Sequence, residues 1–122
     1  MDALDFTGKT ALVVGGSSGI GNGIAQAYRA HGAKVHVWGT RADPAAYKAD
    51  EGSDLTGLDY TRVDVADFAA IKAAPDFDSL DILVLCQGMV LYKRQEFQIE
   101  GFAKVVDVNL NSLMACAAKF HD

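Results

Sequence analysis

Gly15, Gly19 and Gly21 fall at the spacing G-x-x-x-G-x-G, with Ser17 and Ser18 between them. Residues without a Cβ let a backbone come close to a ligand. The first N–H groups of a helix have no partner inside it, and with the helix dipole they favour a phosphate. The chemistry implied is anion binding by main-chain N–H groups. It needs a strand before the turn and a helix after it. Thr10-Ala11-Leu12-Val13-Val14 is a short, largely apolar run suited to a strand covered on both faces. Ile20, Ile24, Ala27 and Tyr28 then recur at helical spacing and form one apolar stripe, which His31-Gly32 closes.

In open α/β sheets, ligands bind outside the carboxyl ends of the strands. The residues just after each strand-like run are therefore the next candidates: Gly39-Thr40-Arg41, Asp64-Val65 and Leu85-Cys86-Gln87-Gly88. Gly15-Gly16-Ser17-Ser18-Gly19-Ile20-Gly21 resembles the cofactor loop of the short-chain dehydrogenase/reductase family. Asp64-Val65, Gly88 and the segment Val106-Asp107-Val108-Asn109-Leu110-Asn111-Ser112 match that family in order. The resemblance covers all 122 residues and corresponds to the first half of a family member. It implies a nicotinamide cofactor and hydride transfer between that cofactor and a small alcohol or carbonyl substrate.

The resemblance assigns roles one by one. Gly15, Ser17, Ser18, Gly19, Ile20 and Gly21 would surround the pyrophosphate. Asp64 would accept from the adenine amino group and the Val65 N–H would donate to the ring; the alternative for Asp64 is a simple turn or cap. At Leu85-Cys86-Gln87-Gly88 the family usually carries Asn-Asn-Ala-Gly, so only Gly88 is kept, and Cys86 and Gln87 line the cofactor by position. Asn109 matches the active-site asparagine that helps hold a water in the proton relay; otherwise its amide bonds a neighbouring backbone group. After the second strand no acid stands where NAD would have its ribose hydroxyls gripped, and Arg41 can take a 2′-phosphate. NADP(H) is therefore expected over NAD(H). Arg41 as a surface charge, and Asp43 as another ribose ligand, stay open.

The family's proton donor is a tyrosine four residues before a lysine, with a serine upstream. Here Tyr28, Tyr47, Tyr60 and Tyr92 are followed at the fourth place by Gly32, Glu51, Asp64 and Glu96. Hydride transfer to a carbonyl needs an acid for the developing alkoxide. His31 at a helix end, His36 in mid-strand and His121 at the terminus offer no replacement. The 122-residue chain is thus expected to be inactive alone, with its acid and lysine lying beyond Asp122. The competing readings are a non-catalytic nucleotide-binding module and an inactive remnant.

The elements that must position these residues read β-α-β-(α)-β-α-β-α. A second strand is expected over Ala33–Gly39, with Val35 and Val37 on one face. A short helix over Ala45–Ala49 would have Asp43 as cap and Pro44 at its first position. A third strand spans Tyr60–Val65, and Asp67 caps a helix that Pro75 ends. A fourth strand spans Leu80–Leu85. A long helix runs from Gly101 to Phe120, with Phe102, Val105, Val106, Leu110, Leu113, Met114 and Ala117 on one side. This is the nucleotide-binding half of a single Rossmann-like domain, an α/β doubly wound parallel sheet truncated after about four strands. Strand four would keep a bare apolar edge, so the chain is expected to be a fragment or to have that edge covered.

Composition bounds the rest. With 122 residues, 50% apolar and 22% charged, the chain is an ordinary globular domain. A net charge of −5 argues against a nucleic-acid surface, and Lys93-Arg94 reads as a solvated turn. No apolar run reaches membrane-spanning length. Cys86 and Cys116 read as buried thiols without a disulfide, and no metal is expected. A cytoplasmic protein follows, with homo-oligomers at full length as is common in the family.

Overall fold

The computed structural model describes residues 3–121. Those residues form two compact units: one holds the segment up to Val63 together with Asp76–Cys86, the other Asp64–Pro75 and the segment from Gln87 onward. The first unit carries a four-stranded parallel sheet in the order β3-β2-β1-β4. Its strands are β1 (Thr10–Val14), β2 (Lys34–Gly39), β3 (Asp59–Arg62) and β4 (Ile82–Leu85), with α1 (Gly19–Ala30) joining the first two.

Register aligns the apolar residues. Tyr60, Val37, Val13 and Val84 form one row across the sheet, and Val35, Ala11 and Ile82 a second. Both rows belong to the core that holds Ala25, with Ile24, Tyr28 and Phe6 packed against it. Leu12 and Val14, pointing to the other face, are fully buried. Phe6 meets the Tyr28 ring edge-on at 5.0 Å. β4 is paired to β1 alone among the described residues and is only half-buried, so its expected open edge is present.

α1 begins at Gly19 as the turn predicts, and Ile24 and Tyr28 of its expected stripe pack on the core, but the other two do not. Ile20 is 82% exposed and Ala27 is exposed. The buried face runs through Gly21 and Ala25 instead. Small side chains bring the helix close to the sheet, and a face centred on them leaves Ile20 outside.

A 3₁₀ turn at Pro44–Tyr47 replaces the short helix, with Pro44 first and the Asp43 carboxylate accepting the Ala46 N–H at 3.2 Å. The third strand stops at Arg62 rather than Val65. Val63 still donates to the Gly39 carbonyl at 2.9 Å, but the Asp64 carboxylate then accepts the Ala66 N–H at 3.0 Å and bends the chain into a turn.

The second unit contains α2 (Phe68–Ala73), α3 (Ile99–Val106) and α4 (Ser112–Phe120). Asp67 caps α2 as expected, accepting the N–H groups of Ala69 and Ala70. The long helix is composite. A π turn at Asp107–Asn111 separates α3 from α4, and the Ser112 N–H reaches the Asp107 carbonyl five residues back. The wide turn rotates the buried face onto Val108, Ser112 and Cys116. Phe102, Leu110 and Met114, expected on that face, are exposed. No helix among the described residues is long and apolar enough to cross a membrane.

Candidate functional site

The glycine turn is shaped by close approach. Gly15 (φ +77°) and Gly19 (φ +58°) occupy the left-handed region that favours glycine. Gly15 donates to the Trp38 carbonyl at 3.1 Å and Gly16 to the Val13 carbonyl at 3.2 Å, binding the turn to β1 and β2. A Cβ on Gly16 would stand 2.6 Å from Val37 Cγ1, and one on Gly21 would enter the Gly15 carbonyl. That Gly21 position also lies 3.2 Å from the Cys86 Cβ. Cys86 reaches there because its N–H donates to Val14 at 2.9 Å, one bond past β4. Its side chain is half-buried rather than buried.

The start of α1 fits an anion. Ser18 caps it in extended conformation without a side-chain hydrogen bond, and no acid stands in the first turn. The Gly19 N–H is taken by the Gly52 carbonyl at 2.8 Å. Among the described residues no acceptor meets the N–H of Ile20 or Gly21. Two main-chain donors thus face a turn kept open by absent side chains, which suits a pyrophosphate. Ser17 is buried and its hydroxyl bonds Tyr47, so only its main chain is left for a ligand.

Arg41 makes several contacts while its side chain stays 46% exposed. Its N–H donates to the Tyr47 hydroxyl at 3.1 Å, and the Tyr60 hydroxyl donates to its carbonyl. Nη1 donates to the Ala46 carbonyl at 2.8 Å and pairs with the Asp50 carboxylate at 2.6 Å. The guanidinium lies over the Tyr47 ring, 4.7 Å from its centroid. Burial pushes the Tyr47 hydroxyl up, but bonds from Ser17, Tyr60 and the backbone of Arg41 and Thr40 outweigh it and leave its pKa below the ordinary value. Burial, with the bond to Tyr47, pushes Tyr60 up. Asp43, the other ribose candidate, is occupied as the cap of the 3₁₀ turn.

Asn22, Tyr47, Asp50 and Tyr60 are the residues that sequence reasoning missed. Asn22 is buried, donates to the carbonyls of Gly16 and Asp54 at 3.2 and 2.8 Å, and accepts the Asp54 N–H at 3.0 Å. The available signal was a polar residue between Gly21 and Ala25, on the side of α1 that the sheet covers. For Tyr47 it was an aromatic residue closing an Asp-Pro cap.

The second unit holds Asp64, Val65, Gln87, Gly88 and Asn109. Asp64 is exposed and caps its own turn, while Val65 is buried. Gln87 turns its Nε2 to Ser112 Oγ at 3.2 Å and to Cys116 Sγ at 3.7 Å, and its Oε1 is buried without a partner. Burial raises the Cys116 thiol to about 11, which keeps it a neutral packed group. Asn109 stands in the π turn and clamps one residue, accepting the Met89 N–H at 2.7 Å and donating to the Met89 carbonyl at 2.9 Å. Gly88 lies beside it, its Cβ position 3.5 Å from Asn109 Oδ1.

Residues 9–122 match the family model described as short chain dehydrogenase. The chain is 32% identical to a 3-oxoacyl-acyl-carrier-protein reductase of Chlamydia muridarum, covering 90% of this chain and 48% of that protein. It is 33% identical to the 2-dehydro-3-deoxy-L-rhamnonate dehydrogenase (NAD(+)) of a Sphingomonas species, covering 91% and 46%. A dehydrogenase/reductase from Sinorhizobium meliloti has a similar structure, with TM-score 0.76, 27% identity and coverage of 96% and 50%. The chain spans about half the length of the curated relatives it matches.

Proposed function

The chain belongs to the short-chain dehydrogenase/reductase family, and from that premise we infer that it carries the nicotinamide-nucleotide site of an oxidoreductase acting on a small alcohol or carbonyl compound. The observation that supports this most is the glycine turn, with the Ile20 and Gly21 N–H groups unpartnered among the described residues and the Gly21 Cβ position filled by the Gly15 carbonyl. Those two N–H groups hold the pyrophosphate, and Gly15 and Gly19 supply the backbone shape. Ser18 and Cys86 line the turn, and Arg41 stands at the ribose end of β2. Asp64 accepts from the adenine amino group and the Val65 N–H donates to the ring. Gln87 and Gly88 flank the second ribose.

The bound cofactor supplies or accepts the hydride. Asn109 acts here as a positioning residue that fixes the Met89 main chain. These 122 residues contain no tyrosine with lysine at the fourth place, so the reading includes no turnover by this chain alone. Homo-oligomers are part of the same reading.

Titration with NAD+ and NADP+, followed by thermal unfolding, tests the site. Ligand that binds the native state raises Tm with concentration, worth about 2.7 kcal/mol at a hundred times Kd. A progressive rise with either nucleotide supports the assignment. An unchanged Tm with both, up to about millimolar concentration, defeats it.

A further inference from the structure

The loop after the 3₁₀ turn touches the glycine turn and Arg41 together. Gly52 takes the Gly19 N–H at 2.8 Å, and two residues earlier Asp50 sets its carboxylate 2.6 Å from Arg41 Nη1. Tyr47 accepts the Arg41 N–H and bonds the Ser17 hydroxyl. Arg41 and its counter-ion are therefore tied to the anion cradle by direct contacts, not by sequence neighbourhood. An unpaired arginine at this end of β2 would offer a 2′-phosphate a fork of N–H donors and a positive charge. Here the guanidinium is already paired, at the surface, with a carboxylate of the same chain. Asp43, Asp50, Glu51 and Asp54 also outnumber Arg41 and Lys48 over this stretch. A phosphate brought to Arg41 would meet the Asp50 carboxylate at close range, and juxtaposed like charges select against a ligand.

Building on the nucleotide site proposed above, we propose that Asp50 is a specificity-determining residue: paired with Arg41, it turns the site toward the unphosphorylated ribose of NAD(H) and against the 2′-phosphate of NADP(H). The preference read from Arg41 alone is the opposite. Asp50 reverses it because the 3₁₀ turn folds the chain back and returns a carboxylate to the guanidinium.

The test is the ratio of NAD+ to NADP+ dissociation constants, measured by calorimetry and thermal shift. The chain itself is compared with Asp50→Asn, Arg41→Gln and the double variant. The unaltered chain binds NAD+ more tightly. Asp50→Asn, which keeps size and shape, tightens NADP+ by about tenfold and leaves NAD+ within about twofold. Adding Arg41→Gln removes that gain. If the unaltered chain prefers NADP+, or if Asp50→Asn leaves the ratio unchanged while NAD+ still binds, the role of Asp50 is overturned and the nucleotide site stands. If neither nucleotide binds the unaltered chain, the nucleotide site falls and this inference with it. If Asp50→Asn fails to fold, Asp50→Ser takes its place and is read by the same ratio.

Discussion

Asn22 in α1 and Asn109 in the π turn hold main chain in the same way. Each accepts the N–H and donates to the carbonyl of one loop residue, Asp54 in the first case and Met89 in the second. Their surroundings differ. Asn22 is buried and makes a further bond to the carbonyl of Gly16, which, like Gly21, has no room for a Cβ. Asn109 is exposed, in a wide helical turn, next to a glycine with room for a methyl group. The glycine-turn region is shaped from within and preorganised before any ligand arrives, which lowers the cost of binding. In the π-turn region the Met89 main chain is held by an exposed clamp, with Gln87 bonded to Ser112 nearby, and the Gly88 Cβ position meets only Asn109 Oδ1 at 3.5 Å.

The sharpest way to break this contrast is to add the same methyl group to both regions. Gly21→Ala forces a Cβ into the Gly15 carbonyl, a backbone atom that cannot move aside, and should cost about 3 kcal/mol or more. Gly88→Ala meets only Asn109 Oδ1 at 3.5 Å, an ordinary contact, and should stay within about 1 kcal/mol. Urea unfolding midpoints read both. Equal losses would show that Gly88 is also held by packing.

Removing the two clamps gives the next largest difference. Asn22→Ala removes the donor to the buried Gly16 carbonyl and the acceptor of the Asp54 N–H, while Gln26 still donates to the Asp54 carbonyl, and should cost about 2 kcal/mol. Asn109→Ala lets water replace the amide and should cost about 1 kcal/mol. Amide exchange localises each effect: the Asp54 N–H loses protection in the first variant and the Met89 N–H in the second. A loss from Asn109→Ala as large as that from Asn22→Ala would contradict the division drawn between the regions.

The sequence made the elements legible where local chemistry decides them. β1 and the start of α1 follow from an apolar run and a glycine turn, and Asp67 and Asp43 cap where capping residues should. Long-range choices were hidden. The face of α1 depends on which small residues the sheet admits, so Ile20 was misplaced and Asn22 went unseen. The π turn has no propensity signature, and one extra residue in that turn shifted the face of everything after it. Arg41 was singled out as a candidate from its position after β2. Its pairing was not legible, because Asp50 is brought back by a turn whose geometry depends on Tyr47 meeting Ser17 and Tyr60.

The smallest expected effect concerns acid, and it too separates the regions. His36 in β2 is partly buried, edge-on to the Phe77 ring at 4.7 Å, with Asp59 3.8 Å from Nδ1. Burial lowers its pKa; Asp59 pulls it up and Lys34 pushes it down, and the net shift is downward. The native state therefore holds the proton less readily than the unfolded chain, whose histidine titrates near 6.5. The stability contributed is fully present above that value and is lost as pH falls from it through the lowered native value. In the second unit Cys116, raised to about 11, is silent over the same range. Between about pH 7.5 and about pH 5.5, amides of β1 and β2 should lose exchange protection, while those of α4 change less. His36→Gln should flatten the response of the strands. A slope that survives in this variant would assign the acid sensitivity to another group.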